Sequence, residues 1–365
     1  MTLDVGFIGY GMMGEAHANA LARLPMFFPE TQRTNRSIIA GRNEESLAAA
    51  ADRLGFDRTT TDWREVVDAV DVLYNLGPPN LHAEPTIAAL ESGVHVLCEK
   101  PLARTQTEAE RMVAAAAESD AVAACGYNYR FVPALRLMKE FVDEGLLGDI
   151  RYFRGQYLQN WQADATDPWS WRNDSDLAGP GALADVGSHT IDLARWLVGD
   201  IVDVSGRLLT VIEERTVADS DDRRQVTNDD LYTAHFTFES GIQGMMEGSR
   251  VAVGHDNTNA IELIGSEGAV RFDCSRMNEL QVQLPDDRGF QRINVTRDDD
   301  PYMDAWWPPG HGIGWEHTFV HETLEFLRAI DGKNSFAPGF ADALRTERVV
   351  DAVQESHEAG RRVSL

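Results

Sequence analysis

The segment at 4–21 constrains this chain more than any other. A short apolar run, Val5-Gly6-Phe7-Ile8, leads into Gly9-Tyr10-Gly11-Met12-Met13-Gly14, and a helical pattern over Glu15–Leu21 follows. The order is strand, glycine turn, helix, and the turn reads G-x-G-x-x-G. In that context the glycines let the backbone reverse tightly and approach a pyrophosphate, which sits at the positive end of the helix. Gly9, Gly11, Met12, Met13 and Gly14 are therefore candidate cofactor-binding residues. An ordinary, tightly packed strand–helix turn is the structural alternative.

The alternation continues downstream. Apolar runs at 37–40, 70–76, 94–98 and 121–126 alternate with helical patterns at 44–54, 83–92 and 105–119. Strands separated by helices of about 10–15 residues predict βαβ units and a parallel sheet. Near residue 150 the character changes. Runs at 150–158, 202–213, 233–238, 244–250, 260–265, 270–272 and 280–284 alternate apolar and polar residues, with Gly, Asn and Asp between them. That pattern predicts an antiparallel sheet with one open face. Helical patterns at 182–198 and 316–330 interrupt it, and a last one covers 341–359. The domains expected are 1–126 for the cofactor, 127–340 for substrate and oligomerisation, and a C-terminal helix at 341–365 packing back on the first.

The 365 residues suffice for two domains with sizeable cores. Asp and Glu number 59 against 33 Lys and Arg, a formal charge of −26. Such a balance argues against nucleic-acid and anionic-lipid partners, which select basic surfaces. The acids are dispersed: Glu44-Glu45, Glu213-Glu214, Asp221-Asp222, Asp229-Asp230 and Asp298 to Asp300. This dispersal fits a halophilic surface kept hydrated in concentrated salt, so these residues are read as surface charge. Cys98, Cys125 and Cys274 form no C-x-x-C pair, which fits a reduced cytoplasm. No signal-peptide pattern is read before the first strand, and no run approaches the roughly 18 apolar residues of a membrane span.

The second strand ends Ile39-Ala40-Gly41-Arg42-Asn43, without the acid that would hold a ribose 2′-hydroxyl of NAD. Arg42, with Asn43 beside it, suits a 2′-phosphate, which tilts the expectation toward NADP over NAD.

Two further motifs follow: Val94-His-Val-Leu-Cys-Glu99-Lys100-Pro101-Leu102-Ala103, then Asp185-Val-Gly-Ser-His189-Thr-Ile-Asp192. Glycine loop, Glu-Lys-Pro and the Asp/His segment, in that order, resemble the Gfo/Idh/MocA oxidoreductases, the glucose–fructose oxidoreductase and inositol dehydrogenase family. The resemblance spans essentially the whole chain. Pro25-Met-Phe-Phe, Tyr157-Leu-Gln-Asn-Trp161, Ser170-Trp-Arg172, Gly179-Pro-Gly-Ala-Leu183 and Gly312-Ile-Gly are similar to the levoglucosan dehydrogenase branch. The fold class implied is α/β plus α+β. An N-terminal Rossmann domain would precede a C-terminal α/β domain with a large, mostly antiparallel, open-faced sheet. The activity implied is NAD(P)-dependent oxidation of a ring alcohol of a sugar, anhydrosugar or cyclitol, in a homodimer or homotetramer. The family also contains an NAD-dependent glycosidase and a non-catalytic sugar or nucleotide sensor.

The residues themselves support such chemistry. Lys100 lies just past a parallel strand's carboxyl end, where ligands bind in such sheets, and an ammonium there can polarise the reacting oxygen or relay a proton. Asp185 and His189, four apart, share a helical face. An imidazole is a suitable base and a carboxylate can hold hydroxyls. The resemblance makes Lys100 catalytic, His189 the proton acceptor and Asp185 the residue that places substrate. It also puts Asn128, Tyr129 and Arg130 on the nicotinamide and substrate side. Trp171-Arg172 reads as a cofactor or substrate clamp, and Trp161 suits the apolar face of a sugar. Many relatives carry Thr-Pro-Asn and then His after the third strand. Here Gly77-Pro78-Pro79-Asn80-Leu81-His82 stands instead; Gly77 and Pro78 still offer backbone to the cofactor, and His82 and Glu99 are expected to bind it as well. His317 and His321 are an i, i+4 pair without the H-E-x-x-H pattern or a third ligand, and no metal is expected.

Overall fold

The computed structural model describes residues 2–365. The chain divides into two compact units, Met1–Phe131 with Ile313–Leu344, and Val132–Gly312 with Arg345–Leu365. The first unit runs β1 (Thr2–Ile8), α1 (Met12–Phe27), β2 (Arg33–Ala40), α2 (Glu44–Leu54), β3 (Arg58–Thr60), α3 (Trp63–Val67), β4 (Val72–Asn75), α4 (Ala83–Glu91), β5 (His95–Glu99), α5 (Gln106–Ala117) and β6 (Ala123–Gly126). These six strands form a parallel sheet of order β3-β2-β1-β4-β5-β6. Every residue of β4 is buried, and only His95 of β5 is not, as expected for parallel strands covered on both faces. The strand order reverses between β1 and β4. The loops beyond the carboxyl ends of these strands border the crevice in which such sheets bind ligands.

The second unit begins with α6 (Pro133–Asp143), β7 (Ile150–Leu158) and α7 (Ser175–Ala178), then α8 (Ser188–Val198) and β8 (Ile201–Leu209). A small hairpin, β9 (Glu214–Thr216) with β10 (Arg223–Gln225), precedes β11 (Leu231–Phe238), β12 (Gln243–Ser249), β13 (Thr258–Gly265), β14 (Ala269–Asp273), β15 (Glu279–Gln283) and β16 (Gln291–Asn294). The chain closes with α9 (Glu316–Ile330), α10 (Phe340–Ala359) and β17 (Val363–Ser364). The large sheet has nine strands, β16-β15-β14-β13-β7-β12-β11-β8-β17, all antiparallel neighbours except β12 and β7. One face is apolar, with the rings of Phe153, Phe236 and Phe238 5.2–6.0 Å apart. α8 lies on it so closely that a Cβ on Gly155 would meet Thr190 Cγ2 at 2.4 Å. The opposite face is polar: Glu262 receives Arg271 at 2.6 Å and Arg154 at 3.5 Å.

The ends of the chain depart from the expected division. α9, placed in the second domain by sequence, belongs to the first unit, where His17 of α1 meets Phe319 with ring centroids 5.1 Å apart and Glu30 pairs with Arg328 at 3.3 Å. The last helix, expected on the first domain throughout, contributes only its first turn, to Leu344, to that unit. Beyond Arg345 it covers β8: Gly206 N–H donates to Ser356 Oγ at 3.0 Å, and β17 adds to the sheet edge. The strand expected at 202–213 stops at Leu209, because the Val211 and Ile212 amides turn to the Asp230 carboxylate at 2.7 and 2.9 Å. α6 and the β9–β10 hairpin are not among the elements expected from sequence, although Pro133 at the first helical position is a start signal. Among the described residues no helix is long and apolar enough to cross a membrane.

Candidate active site

In the first unit the three glycines have three different causes. Gly9 has φ +103°, and a Cβ there would lie 2.7 Å from the Leu76 carbonyl oxygen. Gly14 packs against the Gly9 carbonyl, 3.0 Å from where its Cβ would be. Gly11, the N-cap of α1, has φ −74° and nothing within 4 Å of where a Cβ would stand. Neither backbone conformation nor packing within the chain calls for glycine at Gly11. A phosphate lying against the helix N-terminus would. Met12 beside it is exposed. The donor set and the open backbone thus fit a dinucleotide.

Beyond β2, Tyr10 lies over Gly41, whose Cβ would meet Tyr10 Cε1 at 2.0 Å. Arg42 is exposed, whereas Asn43 caps α2 through its Oδ1, which accepts the Ser46 amide at 2.9 Å. Beyond β4, Gly77 and Pro78 are half-buried. Beyond β5, Lys100 is half-buried, and its amide donates to Glu99 Oε2 at 3.1 Å.

Several residues expected at the cofactor or substrate make contacts within the fold. His82 is fully buried, with Nδ1 2.9 Å from the Pro101 carbonyl and Nε2 2.9 Å from that of Gly77. It ties the loop after β4 to the loop after β5. Burial pushes its pKa down, with the surrounding carbonyls and Glu99 opposing. Glu99 is buried against His17 Nε2 at 2.9 Å. Asn128 donates to Thr318 Oγ1 at 2.9 Å, Tyr129 is buried, and Arg130 is buried in an ion pair with Asp342 at 2.8 Å. The paired histidines of α9 are likewise engaged: His321 Nδ1 faces the Phe131 carbonyl at 3.0 Å, and His317 Nδ1 accepts the Gly314 amide at 3.1 Å.

In the second unit Asp185 sits in a π-helical turn, Leu183–Gly187, that runs directly into α8. Such turns are rare and recur at functional sites. From 181 to 195 Asp185 alone is not buried. His189, 6% exposed, lies beside Tyr157 with ring centroids 5.9 Å apart. Trp161 is 41% exposed and donates through Nε1 to Gln159 Oε1 at 2.9 Å. The Arg172 guanidinium lies 4.3 Å over the Trp171 ring and 5.9 Å from that of Trp161. Asp185, His189, Trp161 and the Trp171–Arg172 pair thus all belong to this unit.

Sequence reasoning missed the residues that hold these groups. Arg215, almost wholly buried, donates to the carbonyls of Gln162 at 2.6 Å and Asp164 at 2.8 Å, which fixes the loop after Trp161. Asp229 and Asp230, read as surface acids, are buried. His17 lies inside a helical pattern, and only its position three residues after Gly14 could have marked it.

Two family models match the chain: the oxidoreductase family with an NAD-binding Rossmann fold at residues 3–127, and the GFO/IDH/MocA C-terminal domain at 135–271. Levoglucosan dehydrogenase of Pseudarthrobacter phenanthrenivorans is 41% identical, with 97% of this chain and 96% of that protein aligned. A solved structure of levoglucosan dehydrogenase in complex with NADH and levoglucosan superposes with a TM-score of 0.97 at 40% identity, covering 100% of this chain and 99% of the other. Myo-inositol 2-dehydrogenase of Thermotoga maritima is 27% identical over 79% of each chain.

Proposed function

The chain belongs to the Gfo/Idh/MocA family of NAD-binding oxidoreductases, and from that premise we propose that it oxidises a ring secondary alcohol of a sugar, anhydrosugar or cyclitol to a ketone. An anhydrosugar of the levoglucosan type is the first substrate to test, given the relative at 41% identity. The observation that carries this reading is the Asp185/His189 segment, buried throughout except at Asp185 and followed by an imidazole that suits proton transfer.

The bound nicotinamide supplies the hydride acceptor. Lys100 polarises the reacting oxygen as the carbon–hydrogen bond at the carbon bearing it breaks. His189 takes the hydroxyl proton, and Asp185 holds the neighbouring hydroxyls. Trp161 offers its face to the apolar side of the ring, and Arg172 closes on the ligand. The proton on His189 then passes to solvent, so that each turnover yields a ketone, a reduced nicotinamide and one proton.

For the cofactor, Arg42 in the exposed loop after β2 supports a 2′-phosphate and hence NADP, while NADH in the levoglucosan dehydrogenase complexes supports NAD. If Arg42 binds the phosphate, Arg42→Ala raises the KM for NADP about 10-fold, the scale of one hydrogen bond to a charge, with little effect on NAD. An equal effect on both cofactors would remove Arg42 from that role. The proposed setting is the cytoplasm of a cell with concentrated internal salt, and the proposed assembly is a homodimer or homotetramer through the open sheet face.

The direct test is cofactor reduction in molar KCl, with NAD and NADP separately, against levoglucosan, glucose, galactose, xylose and myo-inositol. Reduction with at least one of them is the result expected. Silence across the panel, with cofactor binding demonstrated in the same salt, would overturn the proposal.

A further inference from the structure

Three consecutive amides at the head of the Asp185/His189 segment end on a single residue. Gly181 N–H donates to Asp229 Oδ1 at 2.7 Å, Leu183 N–H to Oδ2 at 2.9 Å, and Ala182 N–H to the Asp229 carbonyl at 2.9 Å. Asp229 is 6% exposed. That carbonyl also accepts Arg250 Nη2 at 2.9 Å. Arg250 Nη1 and Asn228 Nδ2 then converge on the Arg172 carbonyl at 3.2 and 2.9 Å. A Cβ on Gly181 would fall 1.9 Å from the Asp229 carbonyl oxygen, so glycine alone permits the approach.

A helix start leaves its first amides without intrahelical acceptors. Here the start is a π-helical turn, a less favourable geometry than the α-helix that follows. Without an outside restraint, a regular α-helical turn would be the easier course, and the direction of Asp185 would change with it. Asp229 supplies that restraint. Arg250 and Asn228 extend it to the backbone of Arg172. The carboxyl is pushed up by burial, with the Arg250 charge and the Leu183 and Gly181 amides opposing.

We propose that Asp229, braced by Arg250 and Asn228, is a positioning residue for hydride transfer, fixing the backbone on which Asp185, His189 and Arg172 are mounted. This rests on the catalytic reading of Asp185 and His189 given above. Asp229 touches no reacting atom in this proposal and acts through the segment it holds.

Asp229→Asn tests it. The amide replaces one acceptor oxygen with an NH₂ group that faces a backbone N–H, so one tether is lost and the turn is no longer fixed. Asp230→Asn is the control. Asp230 is as deeply buried, but a single oxygen accepts both of its amides, those of Val211 and Ile212, away from the segment.

Two readouts are needed. The first is steady-state kinetics: kcat should fall about 100-fold in Asp229→Asn, the cost of misplacing a reacting group by roughly 1 Å, while the KM for the cofactor hardly moves. Asp230→Asn should keep its kcat. The second is hydrogen exchange of a peptide spanning 179–189, which should exchange about ten-fold faster in Asp229→Asn than in wild type or Asp230→Asn. If Asp229→Asn does not fold, Arg250→Lys, which keeps the charge but loses the guanidinium fork, is read in the same way. A folded Asp229→Asn with the kcat of the control, or with unchanged exchange at 179–189, overturns the proposal. Faster exchange in Asp229→Asn together with a wild type inactive on every polyol would count against the catalytic reading and leave the restraint standing.

Discussion

His189→Ala is expected to abolish most turnover, lowering kcat by about 10²–10⁴-fold, the range for loss of a positioned general base. Because His189 packs beside Tyr157, the alanine leaves a space as well as removing the base. His189→Gln keeps most of the volume and separates the two effects: if proton transfer is what His189 provides, both variants lose kcat while cofactor affinity is retained. The limb of the pH–rate profile that belongs to the base should also disappear in both. Lys100→Ala should lose kcat on a similar scale, and Lys100→Arg should recover little, since a planar guanidinium cannot take the place of a compact ammonium at the reacting oxygen. Near-native turnover in His189→Gln, measured on the best substrate, would show that proton removal lies elsewhere.

Gly11→Val carries the second large effect. Its backbone angles are ordinary and its surroundings are open, so the substitution is expected to cost little stability and to leave the thermal transition close to that of wild type. A branched side chain at that point would occupy the space a pyrophosphate needs. Dissociation constants for NADH and NADPH, followed by nicotinamide fluorescence, should rise by about 100-fold or more, equivalent to losing two charge-assisted hydrogen bonds. Gly9→Val differs in kind. Its positive φ and its approach to the Leu76 carbonyl make it destabilising outright. A Gly11→Val protein that binds cofactor normally would contradict the assignment of this turn to a dinucleotide.

The features legible in the sequence are those whose physics is local. The glycine turn and the alternation of strand and helix each express their geometry within a few residues. β1, β4 and β5 follow the apolar runs, and α9 spans the residues that its pattern predicts, Glu316–Ile330. What escapes depends on residues far apart in the chain. Asp229 and Asp230 look like Glu44-Glu45 or Asp221-Asp222 in a strongly acidic sequence. The difference arises only when Gly181, Leu183 and Arg250 fold around Asp229 and the 211–212 turn closes on Asp230. Arg130 carries the charge expected of a ligand-binding residue, yet Asp342, more than 200 positions later, takes it inside the first unit. His82 keeps its place in the motif but faces backbone carbonyls on both sides of its ring. The π-helical turn has no sequence signature at all. Asp185 and His189 at i and i+4 suggest a regular helical face, and the restraint on that face lies at 228–229 and 250.

The stoichiometry of the reaction tests the central claim most directly. With the best substrate of the sugar panel, product and reduced nicotinamide would be quantified together, by mass spectrometry and absorbance. Hydride transfer at a ring alcohol predicts one reduced nicotinamide for each sugar that loses two hydrogens to become a ketone. Consumption of a glycoside with release of free sugar and no net cofactor reduction would contradict it.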